Sequence, residues 1–190
     1  MRDTGVEHIQ ARPGQMAYGM GLGVMLLDDV YPGFPGDVRN ASGYPFPIQY
    51  EIISGVDIKK LVIEPNKIMR LPPIIKAAQK LEKLGCRAIV GECGYFAYFQ
   101  REVAASVKIP VFMSSLLQVP LAQQVIGSNQ VVGILMANAA YLSDHHLESV
   151  GVRIGSNYVI GGAMDEGNCK EFDHLWTSGL RTVPPAADYS

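Results

Sequence analysis

Cys93 stands in Gly91-Glu92-Cys93-Gly94-Tyr95-Phe96, where an apolar run, Cys86-Arg87-Ala88-Ile89-Val90, meets a segment with Phe96, Phe99, Val103 and Val107 at helical spacing. A thiol at a strand-to-helix junction faces free backbone N–H groups and the positive end of a helix. Both lower its pKa below the usual value of about 8.5. The expected chemistry is that of a reactive thiolate. The alternative is a cysteine packed as a small hydrophobe beside the core.

Three further positions fall just beyond apolar runs that read as strands: Asp28/Asp29, Ser114/Ser115 and Asn138. In a parallel sheet the carboxyl ends of the strands open on one edge, so these groups are expected to converge with Cys93 on one cleft. Ser114, Ser115 and Asn138 each precede a helical segment and pair a side-chain hydrogen bond with exposed N–H groups, which suits a carboxylate ligand. They also read as ordinary helix N-caps. The resulting site has Cys93 as the catalytic group and Asp28, Ser114, Ser115 and Asn138 around the substrate.

Other chemistries find little support. The glycines of Gly19-Met20-Gly21-Leu22-Gly23 precede and enter a strand, whereas a dinucleotide cradle follows one, and no phosphate-loop motif is present. His145 and His146 are adjacent, so they point to different faces of a helix and read as a solvated surface. The three cysteines, Cys86, Cys93 and Cys169, have no zinc-ligand spacing, and an odd count argues against a secreted disulfide framework. No metal and no cofactor is expected. A Cys/His hydrolase would need a histidine beside Cys93, which sequence alone does not place.

The elements that must position these groups alternate along the chain. Strands are expected at Gly21–Leu27, Ile48–Ile53, Cys86–Val90, Ile109–Met113, Gln130–Met136 and Tyr158–Gly161, the second at a sheet edge because its pattern is mixed. Helices are expected from Pro72 to Leu84, from Tyr95 to about Val107, after Ser115 with a late start or kink at Pro120, and from about Ala139 to Ser149. The alternation argues for α/β architecture, parallel sheets flanked by helices. A loop rich in Pro, Gly and Asn from Tyr31 to Pro47 is long enough to suggest a functional role.

The chain of 190 residues is 48% hydrophobic with a formal net charge of −2. It can bury a core without disulfides, and it carries no basic patch for nucleic acid. No secretory signal or membrane-length apolar run stands out, so a cytoplasmic protein with a small-molecule partner is expected.

Gly91-Glu92-Cys93-Gly94-Tyr95-Phe96, with Ile109-Pro110-Val111-Phe112-Met113-Ser114-Ser115 and Val132-Gly133-Ile134-Leu135-Met136-Ala137-Asn138, resembles the aspartate/glutamate/hydantoin racemase superfamily. Pro35-Gly36-Asp37-Val38-Arg39-Asn40 and Tyr44-Pro45-Phe46-Pro47-Ile48-Gln49-Tyr50 resemble an uncharacterised branch of it. The likeness runs from about Gly21 to Phe172. It implies a cofactor-independent isomerase of amino-acid metabolism, acting at the α-carbon of an amino acid, small carboxylate or hydantoin, with a homo-oligomeric state admissible. It also implies two similar lobes: residues 1–17 as a lead-in, 18–115 as the first lobe, 116–172 as a partial second lobe and 173–190 as an irregular tail.

Racemases of this type use two cysteines on opposite faces of the substrate. By position Cys93 matches the first. The second normally lies in a later strand–Cys–Thr–helix unit that this chain does not show, as after a truncation or frameshift. A single thiol fits a decarboxylase-type reaction or stereospecific proton exchange better than inversion. A non-catalytic carboxylate-binding protein is the reading from another class.

Overall fold

The computed structural model describes residues 10–30, 32–165 and 167–180. Strand β1, Leu22–Leu26, is almost wholly buried, which is the pattern of an interior parallel strand. It pairs in parallel with β2, Ile48–Ile52, in the register Leu22↔Ile48, and with β3, Ile89–Gly91, in the register Gly23↔Ile89. Strand β4, Val111–Phe112, extends the sheet beside β3, so the order is β2-β1-β3-β4, with β2 at an edge as its mixed pattern predicts.

Helix α1, Leu71–Lys83, begins with prolines in its first turn, where their missing N–H groups cost nothing, and it buries Ile74, Ala77, Ala78 and Leu81. Gly23 allows its close approach: a Cβ there would lie 3.0 Å from Leu81 Cδ1. At Gly85, with φ +80°, any side chain would strike the Ala17 carbonyl, so the turn out of α1 requires glycine.

The stretch after Cys93 differs from the single helix expected. Gly94–Phe99 is a 3-10 turn, and α2 covers only Gln100–Ser106. Tyr95, Phe96, Ala97 and Phe99 are all buried, so the turn is packed around its circumference and is not shaped by one apolar stripe. Ser115–Gln118 is likewise 3-10 and leads into α3, Val119–Val125, with Pro120 in its first turn.

A separate two-stranded parallel sheet joins β5, Val132–Met136, to β6, Tyr158–Gly162. Between them lie a 3-10 turn, Ala139–Tyr141, and α4, Asp144–Ser149. The reading of residues 173–190 as irregular is corrected over 173–178, because α5 spans Lys170–Ser178 and ends at Gly179 in the left-handed conformation. Residues 181–190 lie outside the described residues, as do 1–9 of the lead-in. Residues 10–17 contain neither helix nor strand. Among the described residues no helix is long and apolar enough to cross a membrane. The α/β architecture of parallel sheets flanked by helices is thus observed.

Candidate active site

A cleft of about 690 Å³ opens at the carboxyl ends of β1, β3 and β5, with α5 across it. Cys93 lines it, immediately beyond β3 and at the start of the 3-10 turn. Glu92 and Tyr95 line the same wall, Asp29 and Asp37 come from the loop after β1, and Met136 and Ala137 come from β5 and its end. Helix α5 supplies Phe172, Leu175 and Trp176.

The Cys93 thiol is not the low-pKa thiolate expected from its position. Desolvation pushes it up to about 12, and the carboxylates of Glu92 and Asp29 add to the rise. The hydrogen bond from the Tyr95 N–H and the charge of the Arg39 guanidinium pull the other way. Burial therefore outweighs the turn's dipole, and the sulfur keeps its proton at neutral pH.

Beside it is a clamp. Arg39 donates from Nε to Glu92 Oε2 at 2.5 Å and from Nη2 to Glu92 Oε1 at 2.6 Å, while also donating to the carbonyls of Leu27, at 2.8 Å, and Asp29. Glu92 accepts a further hydrogen bond from the Leu27 N–H. The pair is nearly removed from solvent, with side-chain exposures of 13% and 2%. It ties the long loop to the ends of β1 and β3, next to the thiol. Asp29 Oδ2 accepts from the Ile58 N–H at 2.7 Å, and burial raises the Asp29 pKa despite that bond.

Of the residues expected around the substrate, Ser115 lines the cleft and is exposed. Asp28 is not among the lining groups; Asp29 is, while Asp28 Oδ2 accepts from the Gly55 N–H at 2.7 Å. Ser114 is buried and caps its turn by accepting from the Leu116 N–H. Asn138 caps the next turn by accepting from the Ala140 N–H. The cap reading of these two is the one their side chains show.

His146 is corrected outright. It is fully buried rather than solvated, packs edge-on to Tyr95 and Tyr98, and is held by Ser143 in a capping box. Desolvation lowers its pKa to about 4, aided by the charges of Lys67 and His145. Among the described residues no histidine lines the cleft, which leaves the Cys/His hydrolase without a base there.

Sequence reasoning missed Arg39, Glu92, Tyr95 and Trp176 as site residues. Glu92 and Tyr95 flank Cys93 in the motif itself, and the spacing of Phe172, Leu175 and Trp176 carries a helical signal for α5. Arg39 sits in a Pro/Gly-rich loop, where no periodicity marks it.

No protein-family model matches the chain. It is 31% identical over 155 residues to a dimethylsulfoniopropionate lyase of Durusdinium sp. clade D, covering 76% of this chain and 50% of that protein. It is 32% identical over 126 residues to dimethylsulfoniopropionate lyase 3 of Emiliania huxleyi, covering 64% of this chain and 32% of the relative. The chain thus spans half or less of the length of these curated relatives. Among solved structures, an aspartate racemase homologue from Pyrococcus horikoshii OT3 aligns with a TM-score of 0.47 and 16% identity, over 82% of this chain and 71% of that one.

These relatives overturn the racemase and isomerase reading of the sequence, because the similar curated proteins are named lyases. The cleft gives a physical reason in the same direction. Inversion needs a proton source on each face of the substrate, yet Cys86 is buried in the core and Cys169 is exposed at the start of α5, and neither lines the cleft.

Proposed function

We propose that this chain carries the proton-abstracting side of a carbon–sulfur lyase site, acting on dimethylsulfoniopropionate or a close analogue. The observation that carries this reading is the single thiol in the cleft, Cys93, in a chain similar to named dimethylsulfoniopropionate lyases. Elimination from a β-sulfonio carboxylate needs one base and no second acid. With its own proton first lost to solvent, the Cys93 thiolate takes the proton from the carbon next to the carboxylate, and that C–H pair becomes the new C=C bond. The C–S bond to the sulfonium breaks and its electrons leave with sulfur. The products are neutral dimethyl sulfide, acrylate and a protonated Cys93, so atoms and charge balance.

Ser115, exposed at the rim, supplies a hydroxyl donor for the substrate carboxylate. The Arg39–Glu92 clamp holds the turn that carries the thiol. A single-thiol decarboxylase shares the same economy, but the lyase names of the relatives favour C–S cleavage.

The test is release of dimethyl sulfide from dimethylsulfoniopropionate, followed by gas chromatography for the wild-type chain, Cys93→Ala and Cys93→Ser. Loss of the base is expected to lower the rate by about 10³-fold, within the range for general-base removal. Wild-type release that persists in Cys93→Ala, or no release by wild type, sinks the proposal.

A further inference from the structure

Helix α5 lies across the Cys93 cleft, yet little fastens it there. None of its residues is buried, and among the described residues no side chain of Lys170–Ser178 makes a hydrogen bond or ion pair with another element. Thr177 and Ser178 donate instead to carbonyls of the helix itself, those of Asp173 and His174, each at 2.7 Å. The hold is aromatic. Trp176 alone of α5 packs against the hydrophobic core; its ring stacks on the buried Tyr95, with centroids 6.2 Å apart and planes within 10°, and meets Tyr141 nearly at right angles at 6.2 Å. A nine-residue helix has little stability of its own. Left-handed residues bound it, Asn168 at φ +46° before it and Gly179 at φ +65° after it, whereas its foot is tied down: Cys169 N–H donates to the Ala163 carbonyl at 2.8 Å and Met164 N–H to the Ala137 carbonyl at 2.9 Å. A segment with few buried contacts opens at a free energy well below that of global unfolding.

We propose that α5 is a lid on the Cys93 cleft, latched by Trp176 against Tyr95 and Tyr141, and that its opening governs the access of substrate and water to the thiol. The inference rests on the lyase reading for the substrate that enters, while the gating is read from α5 itself. It supplies a step that the reaction needs. With the lid closed, desolvation keeps the proton on sulfur. Opening brings water to the sulfur, which relieves that desolvation and lets the proton leave to solvent. Closure over a bound substrate then returns the thiolate to a dry site beside the carboxylates of Glu92 and Asp29, where its demand for a proton is high.

The test follows alkylation of Cys93 by iodoacetamide at fixed pH, read by peptide mass spectrometry in a Cys169→Ser background, because Cys169 is exposed and Cys86 is buried. Trp176→Ala is expected to raise the rate roughly 10- to 100-fold, the factor that loss of two ring contacts gives. Phe172→Ala widens the mouth of the cleft without touching the latch, since Phe172 makes no ring contact among the described residues, and is expected to change the rate by less than about 3-fold. In wild type, hydrogen exchange is expected to find the α5 amides open at least about 10²-fold more often than those of α1 from Ile74 to Leu81. An alkylation rate unchanged in Trp176→Ala, or raised as much by Phe172→Ala, overturns the lid. So does wild-type exchange in α5 as slow as in α1, and that measurement decides the matter if Trp176→Ala strips protection from α1 as well. Latch-dependent alkylation in a protein that releases no dimethyl sulfide upholds the lid and removes the lyase reading. Release with alkylation indifferent to Trp176 does the reverse.

Discussion

The two sheets are built to different standards. In the four-stranded sheet the core of β1 is closed on both faces, with Val24 and Met25 fully buried, and α1 seats against Gly23. In the two-stranded sheet Ile134 and Met136 are buried but Leu135 is 78% exposed, and Val159 on the paired strand is 55% exposed. Parallel strands ordinarily have both faces covered, and two strands alone make a marginal sheet. Cys93 and the Arg39–Glu92 clamp stand on the well-built side. The other side contributes Leu135, Met136 and Ala137 at the end of β5. The thiol is thus fixed to the firmer wall, and the wall opposite is the one with less packing behind it.

The sharpest way to break this contrast is to cut the clamp. Arg39→Ala leaves the Glu92 carboxylate buried and without its guanidinium, and the expected loss is about 3–5 kcal/mol in urea unfolding. Arg39→Lys should recover little of it, because an ammonium cannot reproduce the fork that also reaches the Leu27 and Asp29 carbonyls. A loss below about 1 kcal/mol would mean the firm wall does not depend on the clamp.

A smaller effect is expected at the joint between the two regions. His146 sits on α4 against the Gly94–Phe99 turn, and its pKa near 4 lies below the ordinary 6.5. Between those values the unfolded chain binds more protons than the folded one. Stability is therefore complete above pH 6.5 and falls as pH drops towards 4, by up to about 3 kcal/mol. Urea midpoints measured from pH 7.5 to 4 should show that slope, and His146→Gln should flatten it. A slope unchanged by the substitution would place the acid sensitivity elsewhere.

The smallest effect is expected on the open sheet. Val159→Thr should change stability by less than about 0.5 kcal/mol, as for an exposed position away from the cleft. A loss above about 1 kcal/mol would show that this face is covered in solution and would erase the contrast.

What could be read in the sequence follows the same division. Apolar runs at Gly21–Leu27 and Ala88–Val90 mark strands because burial on both faces requires uninterrupted hydrophobes, whereas the run at Gln130–Met136 forms β5 with Leu135 exposed. The positions at their ends, Cys93 and Ser115, could be placed at one edge from the alternation alone. Asp28 and Asp29 could not be told apart, because a one-residue change at a strand end reverses which side chain faces the cleft. Arg39 was hidden because its role arises from closure of a long loop onto Glu92, a contact 53 residues away in sequence. The depth of the thiol was hidden for a related reason. Local sequence shows the turn's dipole, but the desolvation that outweighs it comes from every element packed around the sulfur. His146 was misread because adjacency of two histidines says where they point relative to each other and nothing about which one faces Tyr95 and Tyr98.

One hydroxyl joins the two walls. Tyr95 Oη donates to the Asn138 carbonyl at 2.6 Å and accepts from the Asn138 N–H at 3.0 Å, so both polar groups of one peptide residue close on a single phenol oxygen. Tyr95 is two residues from Cys93, and Asn138 is two residues beyond β5. The phenol therefore acts as a spacer bolt of fixed length. The gap between the thiol and the looser sheet is set by the reach of one tyrosine side chain, and a shift of β5 along its axis pulls on the turn that carries the sulfur.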